Sequence, residues 1–92
     1  MKPNILFLAF LLLAQFSFSQ EKINVVVIGA HPDDCDVDAG GTASLFSKAG
    51  HNVLFISVTN GDAGHYKKGG GALAKIRMAE AQEAGKRVGA KY

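Results

Sequence analysis

The chain has 92 residues, ten Lys plus Arg against eight Asp plus Glu, and a net charge of +2, which leaves room for one small domain. So mild a balance makes no electrostatic case for nucleic acid or an anionic membrane surface as a partner. The single cysteine, Cys35, excludes an intramolecular disulfide and a Cys-rich zinc site.

In chain order, Lys2 opens the sequence with a positive charge and Ile5 to Ala14 follow as an unbroken apolar run. Ser17-Phe18-Ser19 then puts small residues at the two positions a signal peptidase reads. This pattern predicts a secretory signal over residues 1–19, cleaved after Ser19, and a secreted or periplasmic protein. The run falls short of the ~20 residues a spanning helix needs, so no stable membrane span is expected. A buried core helix or an uncleaved anchor is the alternative.

Val25–Ile28 is a β-branched run that predicts a strand buried on both faces, as in a parallel sheet. Gly29 lets the backbone leave that strand close to a neighbour. A loop is expected over Ala30–Gly41, then a helix from Gly40-Gly41-Thr42 to Lys48 or Ala49, anchored by Leu45 and Phe46 and stopped by Gly50. Val53–Val58 predicts a second buried strand, parallel to the first because a helix separates them. Thr59–Gly71 reads as a glycine-rich loop. Ala72–Val88 predicts the longest helix, with Leu73, Ile76, Ala84 and Val88 on its core stripe and Gly89 as its stop. A third strand is expected from Ala90. The pattern is the opening of an α/β domain, so residues 20–92 are expected to be the N-terminal part of a larger one.

Ligands of open parallel sheets bind beyond the carboxyl ends of the strands. Both rich loops, after Ile28 and after Val58, lie at such ends and should be neighbours. The first holds His31-Pro32-Asp33-Asp34. Imidazole and carboxylate suit Zn²⁺ or another divalent ion. Adjacent residues of an extended loop point opposite ways, so one aspartate can bind the ion while the other faces substrate. The assignment is His31 and Asp34 on the metal and Asp33 as general base. The competing reading is a solvated acidic turn whose aspartate caps a helix. In the second loop, Asp62 and His65 are candidate substrate contacts, or parts of a polar turn built on Asn60-Gly61. Cys35 reads as a small packing residue. Arg77 and Glu80, spaced i, i+3 on one helix face, read on spacing alone as a surface ion pair worth ~0.2–0.5 kcal/mol.

Two other site types fail on spacing. The dinucleotide fingerprint G-x-G-x-x-G would need glycine where His31 stands, and carboxylates follow where a pyrophosphate would lie. An EF-hand starting at Asp34 would need glycine and glutamate where Ala39 and Leu45 stand.

The run Val25–Asp34, then Gly40-Gly41-Thr42, Asn60–His65 and Arg77-Met78-Ala79-Glu80, resembles the LmbE/PIG-L family of metal-dependent N-deacetylases, in the family's order. The resemblance implies a Rossmann-like parallel sheet with flanking helices, of which the first βαβα portion is present. It implies metal-assisted hydrolysis of an N-acetyl group, usually from an N-acetylglucosamine conjugate, with acetate and a free amine as products. By position, His31 and Asp34 match the family's metal ligands and Asp33 its base, and Arg77 is expected to point toward substrate. Two departures stand out. Cys35-Asp36 occupies the place where the family most often has glutamate. The family's third ligand and a further acid histidine lie well downstream, and His51 and His65 are not in matching positions. The alternative function is a truncated or non-catalytic metal- or carbohydrate-binding domain that retains the motif.

Overall fold

The computed structural model describes residues 4–13 and 20–92, and the expected cleavage point after Ser19 lies outside them. The order is α1 (Ile5–Leu13), β1 (Asn24–Gly29), α2 (Asp34–Lys48), β2 (Asn52–Ser57) and α3 (Gly70–Val88). Large side chains of α1, from Ile5 to Leu11, are exposed. Among the described residues no helix is long and apolar enough to cross a membrane.

β1 and β2 pair in parallel, Val25 opposite Val53 and Val27 opposite Phe55, as the intervening helix requires. Alternation along the strands sends these four side chains toward α2. There Val53 and Phe55 form a buried cluster with Cys35 and Ala43 of α2 and with Ala90, and Val25, Val27, Phe46, Val88 and Tyr92 pack around it. α3 packs against α2, burying Leu73, Ala81 and Gly85. Past α3 the backbone returns to the sheet. Lys91 donates to the Val53 carbonyl at 2.9 Å and its own carbonyl accepts from Phe55 at 2.7 Å, a parallel bridge to β2 where the third strand was expected.

Three expectations are corrected. The strands are covered on one face: Val26, Ile28, Leu54 and Ile56 are exposed on the other, because α2 lies across the opposite side. Leu45 is exposed and Phe46 alone of the pair reaches the core. The segment Asp34–Gly41 is helix, not loop. Its adjacent glycines, each costing ~1 kcal/mol in a helix interior, hide the helix from a propensity reading. Gly40 is buried beside Val88 of α3, where a Cβ would make an ordinary contact at 3.8 Å. Asp34 and Asp36 in the first turn and Lys48 in the last oppose the helix dipole with the favourable sign. Gly50 and Gly89, with φ of 90° and 79°, end the two helices in the left-handed conformation that glycine adopts without strain.

Candidate functional site

The motif sits in the short connection from β1 to α2. Gly29 is needed there, because a Cβ would come within 2.7 Å of the Asp34 Cβ. Pro32 and the following turn bring the chain straight back over the strand end. The His31 N–H donates to Asp34 Oδ2 at 2.8 Å, and the His31 Nδ1 stands 3.6 Å from the same oxygen. Two metal ligands at ~2.0–2.2 Å from one ion lie about this far apart. Both side chains are open to solvent, 65% and 37% exposed. His31 and Asp34 therefore fit a divalent cation in donor type, spacing and access. Among the described residues no group of three or more His, Cys, Asp and Glu converges as a metal cage.

Asp33 occupies the N-cap position of α2, yet among the described residues its carboxylate makes no capping hydrogen bond. That removes the capping explanation for it. It lines instead a cleft of about 60 Å³ with Pro32, Asp36, Arg77, Glu80 and Ala81, while Asp34 faces a different hollow beside Gly29 and Cys35. The two aspartates diverge as expected, but for another reason. They straddle a helix start, where successive residues turn by about 100°, and not an extended loop.

The second loop does reach the first. Gly61, at φ 70°, is wedged so that a Cβ would lie 2.9 Å from Pro32 Cγ and 3.0 Å from Arg77 Cγ. Asp62 donates its N–H to Asn60 Oδ1 at 3.1 Å, the polar turn expected of Asn60-Gly61. The Asp62 side chain is exposed and is not among the groups of the Asp33 cleft. His65 accepts from the N–H groups of Lys67 and Lys68, both at 3.1 Å, through Nδ1. Its ring stacks on Tyr66 at 4.7 Å. It lines a separate hollow of about 350 Å³ with Lys68, Arg77 and Glu80. Arg77 is thus the second-loop or α3 candidate that the fold sets beside Asp33. It also holds Glu80 at 2.6 Å, so the ion-pair role and the cleft role coexist. His51 is far from this rim: its Nδ1 accepts from Ile23 N–H at 3.4 Å beside the first residues of both strands.

Asp36 is the residue that sequence reasoning left without a place. It stands one turn after Asp33 on the same helix face and lines the same cleft. The spacing was in the sequence, but it carries meaning only once α2 begins at Asp34. Cys35, 1% exposed, lies under the motif with its Sγ 3.5 Å from the carbonyls of Val27 and Ile56. It is a packing residue joining the two strands.

A family model described as PIG-L: GlcNAc-PI de-N-acetylase matches residues 26–92. No curated protein matches the chain.

Proposed function

This chain belongs to the PIG-L family, and on that premise we propose that it carries the base-and-ligand portion of a metal-dependent deacetylase acting on N-acetylglucosamine conjugates. One observation carries the reading. Two adjacent carboxylates stand in separate surroundings, Asp34 beside His31 and Asp33 in a cleft walled by Arg77. Residues 20–92 are then the N-terminal part of the catalytic domain, and ligands beyond His31 and Asp34 come from outside it.

His31 and Asp34 would hold zinc or another divalent ion, which supplies Lewis acidity and lowers the pKa of water toward ~7. Asp33 accepts the proton of the attacking water as its oxygen bonds to the acetyl carbonyl carbon. The carbonyl electron pair moves onto oxygen, then returns as the C–N bond breaks and the leaving nitrogen takes up the proton that Asp33 received from water, giving a free amine and acetic acid, which ionises to acetate. Arg77, on the far wall of the Asp33 cleft, orients the sugar through its hydroxyls. The rigid setting of Asp33 between Pro32 and α2 keeps the base in place as the reaction proceeds.

The test is acetate release from N-acetylglucosaminides by the complete protein, with and without chelator. Asp33→Asn should retain metal and lose turnover by ~10²-fold or more. Undiminished turnover would remove Asp33 as the base. A second reading, a sugar- or metal-binding domain without turnover, is favoured by the lack of a three-ligand cluster among the described residues. It predicts saturable sugar binding and no acetate.

We further propose export. The apolar helix Ile5–Leu13, with its large side chains from Ile5 to Leu11 exposed, supports the signal reading, under which the mature protein starts at Gln20. N-terminal sequencing of the exported protein tests this, and an intact Met1 would refute it.

A further inference from the structure

Two buried polar atoms have no hydrogen-bond partner among the described residues: Asp36 Oδ1 and the Tyr92 hydroxyl oxygen. Orphaned buried groups are rare in folded proteins, because each forfeits its hydrogen bonds to water without replacement. Both belong to the α2 side of the sheet, and the Asp36 carboxylate is near enough for its charge to act on the Tyr92 phenol. Lys91 is held on β2 by two backbone bonds, which fixes where Tyr92 starts. The Tyr92 ring meets Phe55 edge-on at 5.5 Å and 84° and packs on the cluster containing Cys35. It lies beside Gly85, where a Cβ would come within 3.2 Å of its own Cβ. The hollow that Tyr92 lines and the cleft that Asp36 lines share Pro32 and Ala81. One orphan is a donor and the other an acceptor.

We propose that Tyr92 is a positioning residue, its hydroxyl donating to Asp36 across one bridging water and so holding the first turn of α2 in place. This rests on the reading of Asp33 as base and Asp34 as ligand, since both hang from that turn. Burial first, then the neighbouring Cys35 thiol through charge and side-chain hydrogen bonding, then the charges of Asp36 and Asp33 raise the Tyr92 phenol above its ordinary value. The hydroxyl is therefore kept protonated, as a donor must be. The link ties the start of a third parallel segment to the catalytic turn across the core. Its role is to limit how far Asp33 can drift from the Pro32 and Arg77 walls. Small displacements of a reacting group are costly to rate and leave substrate affinity largely alone.

The test uses the complete protein, with activity normalised to the folded fraction. Tyr92→Phe deletes the hydroxyl and keeps the ring on Phe55. It should lower kcat about tenfold with KM unchanged, and speed amide exchange at Asp33 and Asp34. Asp36→Ala should do the same, and the double variant should be no worse than the poorer single. Asp36→Asn, which keeps a carbonyl acceptor, should retain kcat within roughly twofold. An unchanged kcat in Tyr92→Phe, or losses that multiply in the double variant, would overturn the proposal. If the unaltered protein releases no acetate, the deacetylase reading falls. The link is then judged by exchange alone, and unchanged rates at Asp33 and Asp34 overturn it.

Discussion

Gly61→Ala is the most searching perturbation of the site's framework, because Gly61 is where the two loops and α3 meet. An added Cβ would lie 2.9 Å from the Pro32 ring, 3.0 Å from Arg77 Cγ and 3.1 Å from Arg77 Cβ. The proline ring cannot rotate away, and the Arg77 Cβ is anchored to α3. Relieving the overlap means shifting a loop or a helix, which costs ~1–3 kcal/mol as for other overpacked positions. The backbone adds a second cost, since Gly61 has φ 70°, a conformation that disfavours L side chains by ~1–2 kcal/mol. The sum is ~2–5 kcal/mol, a large share of the ~5–15 kcal/mol by which domains are stable. Gly64 supplies the control. It too has positive φ, 97°, but among the described residues nothing lies within 4 Å of its Cβ position. Gly64→Ala should cost only the backbone part, ~1–2 kcal/mol. Urea unfolding of the complete protein, read as midpoint shifts at constant m, measures both. The difference should be ~1–3 kcal/mol, with Gly61→Ala the worse. Equal losses in the two variants would show that Gly61 is not wedged between Pro32 and Arg77, and the joined rim would have to be abandoned.

Raising the pH should destabilise the fold through Tyr92. Its folded pKa lies above the unfolded value, so the stability is fully present below ~10 and is lost as pH climbs above it toward the folded value, because the unfolded chain releases the proton first. Alkaline unfolding of Tyr92→Phe should show a shallower decline over that range, and an identical decline would count against the buried phenol. Metal binding should depend on both proposed ligands. His31→Ala and Asp34→Ala should each weaken zinc affinity by more than the ~10–100-fold typical of losing only an outer hydrogen-bond partner. Competition against a chelating dye measures this, and an unaltered affinity in either variant removes that residue from the ligand set.

Much of the architecture was legible before any coordinates. Val25–Ile28 and Val53–Val58 announce strands because β-branched runs suit a pleated, buried surface. The helix between them compels a parallel pairing, observed from Asn24–Asn52 to Gly29–Ser57. Gly29, Gly50 and Gly89 marked a close approach and two helix ends, and each does that in the fold. His31 and Asp34 stand 3.6 Å apart, the separation on which the proposed ligand pair rests.

What the sequence could not disclose are relations between segments. Propensity is local, so the glycine pair at Gly40-Gly41 argued for a loop. The helix runs through it because α2 as a whole is packed against β1, β2 and α3. Burial of a strand's second face depends on what is laid over it, and here α2 covers one side while Val26 and Ile28 remain exposed. The separation of Asp33 from Asp34 depends on where the helix begins, and the choice of Arg77 over Asp62 as a neighbour of Asp33 depends on how α3 docks. The sequence by itself determined the strands, their direction and the chemical groups at the rim, because those follow from residue types and their order. Tertiary structure decided which of those groups share a cleft, because side chains far apart in sequence meet only through the packing of the elements that carry them.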